Sequence, residues 1–467
     1  MLFNSYVFIF AFLPIVLLVW WTLKPPTVRL TFLALASYFF YGWWNWHFIP
    51  LLIASTSVDF VSGHLISRSD DPRRRKVVLA TALSINLAFL GYFKYAGFFV
   101  DSVDGIGSWL GAEGELIPAL HIILPIGISF YTFNSMSYTI DIYRRIVQPA
   151  RNFLHYAAFV SLFPHLIAGP IVRYSDIDQQ LRRLQPRLTA RFAASGLFFF
   201  CCGLVKKLVI ADELAPHVSN LFGNHAHLHF LTGWAAALGY SLQLYFDFSG
   251  YSDMAVGLAF LLGFRFPQNF NSPYKAVNIS DFWRRWHMSL SFWVRDYLFI
   301  PLGGSHGSHA ATLRNLFITM FLGGLWHGAA WTFVVWGLIH GIYLVIHNLA
   351  RGAGLTPRSV VVNRAITYVC VAAAFVVFRA PTLSAAGDVL GAMAGLHGLG
   401  SLHDLRVSAG STFLLEIVGL LVFVNVVPNT WQIKLEPRLR HGLAIGFAAG
   451  FAVLLLAQPS PFIYFQF

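Results

Sequence analysis

The chain has 467 residues, of which 57% are hydrophobic and only 11% are charged, whereas soluble globular proteins carry about 25% charged residues. A surface that faces lipid explains this deficit, because charge is costly there. The net charge of +12 does not indicate nucleic-acid binding, because the basic residues stand between apolar segments, as they do in the cytoplasmic loops of membrane proteins.

Apolar segments long enough to cross a membrane recur along the whole chain, since a spanning helix needs about 20 residues. They run near residues 5–23, 28–46, 48–66, 77–100, 192–211, 230–246, 314–349, 362–379, 412–428 and 442–458. The segment 314–349 has room for one long helix or for two crossings. Such continuous runs predict an all-α polytopic membrane protein with about 10–12 spanning helices, because barrel strands are shorter and alternate. We expect residues 1–467 to form one transmembrane domain.

The charged loops predict the orientation of the chain. The loop 68–76 contains four arginines and a lysine, so we expect it to be cytoplasmic. The loop 101–117 has no basic residue and four acidic ones, Asp101, Asp104, Glu113 and Glu115. We expect it to lie outside, and counting back three helices places the N-terminus outside as well.

An apolar stretch at 153–172 lies between two basic loops, 144–151 and 173–191. If both loops are cytoplasmic, the stretch enters and leaves on the same side. Pro164 and Pro170 would interrupt a straight helix, and irregular backbone at membrane depth must be buried in protein or line a cavity. We predict a re-entrant segment that faces a central cavity; a kinked crossing is the alternative.

Residues 240–304 mix polar and aromatic side chains where a spanning helix would be apolar. Ionisable groups at such depth indicate a functional site. One group comprises Asp247, Ser249, Tyr251 and Asp253. We therefore predict that 124–304 forms a re-entrant and polar core that lines a tunnel.

A second polar group lies further along the same segment. If 281–296 is one helix, Trp283, His287 and Ser291 recur every four residues, and Arg284 stands three residues before His287. Residues at these spacings share a face, which would suit the wall of a channel. The alternative for Arg284 and its neighbours is an ordinary position at the membrane interface.

His327 lies within an apolar run, and no carboxylate stands within ten residues on either side. A lone histidine in such a helix is commonly a packed residue, but small neighbours leave room for a ligand or a close helix. Burial disfavours the charged imidazole, and a neutral imidazole can take a proton from a hydroxyl that attacks an acyl carbon. We therefore predict that 314–349 carries a catalytic His327, with Trp326 beside it. His340 would lie on a different face of a straight helix, outside the site.

No metal site or bound cofactor is predicted. The three cysteines lie in apolar runs without zinc spacing. His225, His227 and His229 alternate in a polar loop and could bind a metal, but they lack a clear carboxylate or cysteine complement.

Several sequence strings stand out together, in this order: 124–133, 166–173, 245–253, 282–291 (FWRRWHMSLS), 295–298 with 300–304, 323–328 (GGLWHG), 378–380 and 462–467. In these strings the chain resembles the membrane-bound O-acyltransferase family and, within it, the bacterial alginate O-acetyltransferases. The resemblance runs almost end to end.

The resemblance implies a fold with short and re-entrant helices around a central tunnel, and O-acetylation of an exopolysaccharide such as alginate. It implies that His327 is the general base or acyl-transfer residue and that His287 is a second family histidine. It further implies a bacterial inner membrane, with membrane lipid around the chain. The donor, acetyl-CoA or a carrier thioester, would approach from the cytoplasm. The acceptor would approach from outside, and periplasmic acetyltransferase-type partner proteins would receive the acetyl group before the polysaccharide, so the first acceptor could be a protein serine.

Three alternatives stay open at this point. A transferase of the same family could move D-alanine to a cell-envelope polymer. An acetyltransferase could serve cellulose or another polysaccharide instead of alginate. A non-enzymatic transporter of lipid or polysaccharide would also contain buried charges and broken helices, although no internal repeat is visible.

Overall fold

The computed structural model describes residues 1–112, 114, 116–120, 122–433, 439–457 and 462–463. These residues form helices, turns and irregular segments and contain no β-strand, so the all-α prediction is confirmed. Contacts divide the chain into two compact units, the first comprising Met1–Phe198 with Ala255–Pro267 and the second Phe199–Met254 with Gln268–Phe467.

The first unit contains a bundle of long helices and three short ones. Its helices are α1 Leu13–Thr22, α2 Pro26–Asn45, α3 Ile49–Ser67, α4 Pro72–Leu90, α5 Ala96–Trp109, α6 Ile128–Tyr143, α7 Phe153–Val160, α8 Phe163–Leu166 and α9 Tyr174–Arg182. A buried polar network joins α3, α4 and α6, because Asp59 accepts hydrogen bonds from Thr139 Oγ1 (2.6 Å) and Asn86 Nδ2 (2.8 Å). The partners satisfy a carboxyl group that would otherwise be costly to bury.

The stretch 153–172 is not a straight spanning helix. It consists of α7, with eight residues, and α8, with four, followed by irregular backbone in which Gly169 has a φ of 108°. Residues 155–172 are buried throughout. The predicted break is confirmed, and a kinked crossing stays the alternative path. The re-entrant path through a membrane stays a prediction.

Two helices, α10 Ala190–Val205 and α12 Phe230–Leu261, contribute residues to both units. The second unit continues with α11 Asp212–Gly223, α13 Ile279–Trp283, α14 Met288–Val294, α15 His309–His327, α16 Trp331–Gly352, α17 Val360–Arg379, α18 Leu383–Met393, α19 Leu402–Ala409, α20 Phe413–Val426 and α21 Leu439–Leu454. The segment 314–349 is therefore two helices, α15 and α16, which are separated by an extended backbone at Gly328 and Ala330.

Five helical stretches in the described residues are long and apolar enough to cross a membrane, or six if α19 and α20, bent by 90°, count as one span. The polytopic prediction is thereby confirmed. Fewer stretches than the predicted 10–12 meet this criterion, partly because adjoining runs merge: Pro26–Ser67 covers two predicted spans in 42 residues. Other apolar helices, such as Phe8–Thr22, are shorter than 18 residues.

One predicted loop is corrected by the structure. The stretch 101–117 begins inside α5, which continues to Trp109, and Asp104 then accepts hydrogen bonds from the backbone N–H groups of Leu116 and Ile117. The stretch 383–410, which lacks a long apolar run, contains α18 and α19, each capped by a Thr or Ser side chain. Glu113, Glu115 and residues 464–467 lie outside the described residues.

Candidate active site

His327 is the last residue of α15, and two glycines determine its position. A Cβ atom on Gly324 would lie 2.5 Å from the carbonyl oxygen of Phe333 on α16, and one on Gly328 would lie 2.1 Å from the Phe333 ring. Only glycine permits these approaches, so α16 packs tightly against the end of α15. The small residues beside His327 therefore serve close helix packing at these positions. Gly323, by contrast, has open space around its Cβ position.

Aromatic rings surround the imidazole of His327, which is only 6% exposed. Its ring centroid lies 5.0 Å from Trp326, 5.0 Å from Trp336 and 5.5 Å from Phe378. Two of these contacts, with Trp336 and Phe378, are close to perpendicular, at 88° and 79°. These rings hold the imidazole in place and keep its surroundings apolar.

His287 lies in a break between two short helices, not within one helix over 281–296. The helix α13 ends at Trp283, and His287 has left-handed backbone geometry, with a φ of 41°, immediately before α14. The predicted face shared by Trp283, His287 and Ser291 is therefore wrong. Hydrogen bonds to Asn269 impose this geometry, because the backbone N–H of Met288 donates to the Asn269 carbonyl over 2.8 Å.

The side chain of Asn269 also determines which ring nitrogen of His287 carries the proton. Its Oδ1 accepts hydrogen bonds from Ser289 N (3.3 Å) and Ser289 Oγ (2.8 Å), which identifies that atom as the oxygen. His287 Nδ1, 3.1 Å from the same oxygen, must therefore carry a proton, and the lone pair of the neutral ring is on Nε2. Burial lowers the pKa of His287 to about 3, so the ring is neutral at pH 7.

The structure brings the two predicted histidines together, with ring centroids 6.5 Å apart. An oxygen that hydrogen-bonds to one nitrogen of each ring needs those nitrogens about 4.5–5.5 Å apart, and rings whose centroids are 6.5 Å apart can accommodate that arrangement. Two imidazoles in aromatic surroundings can together accept a proton from a hydroxyl and orient its oxygen. Phe248 packs edge-on against His287 at 4.7 Å and closes another side of the site.

The predicted tunnel acids Asp247 and Asp253 are both engaged in ion pairs. Lys207 Nζ lies 2.6 Å from Asp247 and 2.7 Å from Asp212, and Asp247 also accepts a hydrogen bond from the backbone N–H of Ile463. Lys206 Nζ lies 2.6 Å from Asp253. These contacts join α12 to the π-helical turn after α10, so both acids have a role in packing. Their direct contact with substrate stays a prediction.

The remaining predicted residues are divided between the site and its surroundings. Trp326 contacts both histidine rings, at 5.0 Å from His327 and 6.2 Å from His287. Trp283 reaches the site indirectly, through Trp336 at 5.8 Å.

Four other predicted residues have different surroundings. Ser249 is buried in α12, Tyr251 stacks on Phe462 at 4.6 Å, Arg284 is exposed, and Ser291 Oγ donates a hydrogen bond to the Trp286 carbonyl.

Several residues of the site escaped the sequence prediction. Lys206 and Lys207 carried a usable signal, because two adjacent lysines within an apolar run require nearby acidic partners. Asn269 carried none, since a single asparagine in a polar segment is unremarkable. Trp336 and Phe378 look like ordinary apolar helix residues until the fold places them against His327.

Two other candidate sites find no support in the described residues. His225 pairs with Asp388 at 2.8 Å, and His229 Nδ1 donates to the His397 carbonyl; no three potential metal-ligating side chains come together in the described parts of the chain. The string 303–307 (GGSHG) fits the G-x-S-x-G pattern of serine hydrolases, but Ser305 lies exposed in a turn that follows no strand, unlike a nucleophile elbow.

Comparison with known proteins points to one family. The sequence model of the membrane-bound O-acyltransferase family matches residues 148–381. A probable alginate O-acetylase AlgI of Pseudomonas putida is 45% identical, with 100% of both chains covered. A protein of the same name from Azotobacter vinelandii is 44% identical over 94% of this chain and 86% of its own. A peptidoglycan O-acetyltransferase of Helicobacter pylori is 40% identical over 86% of this chain and 81% of its own.

Proposed function

This chain belongs to the membrane-bound O-acyltransferase family, and from that premise we propose that it moves an acetyl group across the bacterial inner membrane for O-acetylation of an exopolysaccharide such as alginate. The single observation that carries the mechanism is the pair His327 and His287, held 6.5 Å apart in buried aromatic surroundings. The relatives named for acetyl transfer to polysaccharides match most of the chain.

The proposed reaction begins when His327 takes the proton of the acceptor hydroxyl. The hydroxyl oxygen attacks the carbonyl carbon of the acetyl thioester and forms the new C–O bond. The C–S bond then breaks, and the proton held by the imidazole passes to the leaving thiolate, so that the base is regenerated. His287, with its proton on Nδ1, orients the acceptor hydroxyl, whose O–H donates to Nε2.

The donor in this proposal is acetyl-CoA or a carrier thioester. The donor enters from the cytoplasm, where the basic segment 68–76 at the start of α4 lies, and the N-terminus is outside. The first acceptor is a serine of a periplasmic acetyltransferase-type partner or the polysaccharide itself. Transfer of D-alanine is less well supported, because the O-acetyl-transferring relatives match along nearly the whole chain. A pure transporter would not need two histidines at this spacing.

The test is thioester consumption by purified protein in detergent. Wild type, His327→Ala and His287→Ala are compared at equal monodispersity, with acetyl-CoA as donor and with or without partner proteins, by the release of free thiol. We expect a loss of at least 10²-fold in His327→Ala, since general-base catalysis contributes about 10²–10⁴-fold. Equal consumption by wild type and His327→Ala would show that His327 is a packed residue. Consumption by neither would exclude acetyl-CoA as the direct donor.

A further inference from the structure

A group of buried ring nitrogens lies one aromatic ring away from His327. Because α16 is a separate helix packed against α15, His340 is close to the site, contrary to the expectation for one straight helix. Trp336 lies between the two histidines, at 5.0 Å from the His327 ring and 4.7 Å from the His340 ring. Trp283 contacts His340 at 5.1 Å and Trp336 at 5.8 Å. We call Trp283, Trp336 and His340 the indole–imidazole group.

The polar atoms of this group lack hydrogen-bond partners within the described part of the chain. Nε1 of Trp283, Nε1 of Trp336 and both ring nitrogens of His340 are buried and unbonded there. His340 is fully buried, and Trp336 is 2% exposed. More than about 90% of buried polar groups in proteins are hydrogen-bonded, and contacts between N–H groups and ring faces are second-order. Four such atoms in one contact cluster therefore point to a ligand.

The chemistry of these atoms selects the ligand. Each indole N–H can only donate, and a neutral imidazole offers one donor and one acceptor. The ring neighbours of His340 are aromatic: Phe282, Trp283, Trp336 and Tyr343. A phosphate or carboxylate would be a buried charge without a counter-charge among these rings, and sugar hydroxyls would need more acceptors than one. Uncharged carbonyl oxygens fit best.

We propose that the indole–imidazole group binds the amide and thioester carbonyl oxygens of the acyl donor and thereby positions the acetyl group beside His327. This inference rests on the proposed function and names the part of the donor that the site recognises. Acetyl-CoA and a phosphopantetheine carrier both present a thioester followed by amides, so one site serves either donor.

The experiment compares two small donors that differ in the amide. S-acetyl-N-acetylcysteamine carries a thioester and an amide carbonyl, whereas S-ethyl thioacetate carries the thioester alone. The measured quantity is the ratio of kcat/KM for the two donors. We expect wild type to favour the amide donor about tenfold or more, as a buried hydrogen bond permits.

Variants assign this preference to the indole–imidazole group. Trp283→Phe and His340→Phe should lower the ratio toward one, while His340→Gln, which keeps a donor and an acceptor, should retain most of it. The matched control is Trp234→Phe, because Trp234 is half-buried like Trp283 but its Nε1 donates to the Met393 carbonyl. Trp283→Phe also keeps the test valid if His340→Phe fails to fold.

Each outcome decides the proposal. A ratio that falls in Trp283→Phe but not in Trp234→Phe supports it. A wild-type ratio of one, or variants that slow both donors by the same factor, overturns it and leaves the acetyltransferase function intact. A wild type that consumes neither these donors nor acetyl-CoA overturns the proposed function, and this inference with it.

Discussion

Replacing Asn269 tests whether the state of His287 matters for the reaction. The Asn269 side chain makes at least four hydrogen bonds: Oδ1 accepts from His287 Nδ1, Ser289 N and Ser289 Oγ, and Nδ2 donates to Ser252 Oγ over 3.0 Å. Asn269→Ala removes all four and leaves the proton on His287 free to move to the other nitrogen. The variant therefore alters the tautomer of His287 without substituting that residue.

The expected magnitude follows from those bonds. Each contributes about 1 kcal/mol net, and a buried orphan costs about 1–3 kcal/mol, so we expect Asn269→Ala to lower the free energy of unfolding by about 3–5 kcal/mol. A His287 ring in the wrong tautomer cannot accept through Nε2. We expect kcat to fall by about 10²-fold, at the lower end of what general acid–base groups supply.

The matched variant is Asn269→Asp, which keeps the oxygen that accepts from His287 and Ser289. A carboxylate beside Nδ1 favours the imidazolium, so it should raise the pKa of His287 from about 3. Activity should then decline as the pH falls through that raised pKa, in addition to any decline of wild type. Thiol release from the acetyl donor between pH 5 and 8, together with thermal unfolding in detergent, measures both effects.

Two results would refute this reasoning. A folded Asn269→Ala protein with wild-type kcat would mean that the tautomer of His287 is irrelevant to the reaction. An Asn269→Asp profile that superimposes on that of wild type would mean that the carboxylate does not reach His287 electrostatically.

Further predictions concern packing, charge and pH. Gly324→Ala should lower the free energy of unfolding by about 1–3 kcal/mol through overpacking, because the new Cβ would lie 2.5 Å from the Phe333 carbonyl oxygen. Gly323→Ala is the control and should leave stability unchanged, because the Cβ position there is open. Equal unfolding midpoints of the two variants in detergent would contradict this prediction. Lys207→Met should lower the free energy of unfolding by about 3–5 kcal/mol, because buried Asp247 loses the ammonium group of Lys207. The double variant with Asp247→Asn should recover part of the lost yield of folded protein. Equal yields of wild type and Lys207→Met would show that the ion pair does not stabilise the fold. Burial lowers the pKa of His287 from 6.5 to about 3, so between those values the unfolded chain binds a proton that the folded chain does not. Stability should therefore fall as pH decreases, by up to about 1.4 kcal/mol per unit, and His287→Gln should weaken that dependence between pH 7 and 5; identical slopes would argue against a neutral buried ring.

The sequence alone was sufficient for the fold class and for the two histidines. Apolar runs of about 20 residues can only be satisfied as helices in a membrane, and this holds whatever those helices pack against. His327 stood out because it is an ionisable group in an apolar run, and the resemblance to a family assigned it and His287 a role. The break at 153–172 was also predictable, since Pro164 and Pro170 act through local backbone geometry.

Only the tertiary structure determined which charged residues form ion pairs and which side chains lie close to the two histidines. The break between Trp283 and His287 depends on Asn269, which is distant in sequence and whose hydrogen bonds outweigh the helical periodicity of the segment. The carboxyl group of Asp247 looked like part of a tunnel because its partner Lys207 stands forty residues away in another apolar run. His340 was excluded by assuming one straight helix over 314–349. Extended backbone at Gly328 and Ala330 divides that run into two helices, and the absence of a side chain at Gly324 lets them pack closely. In each case a tertiary contact overrode the pattern of the local sequence.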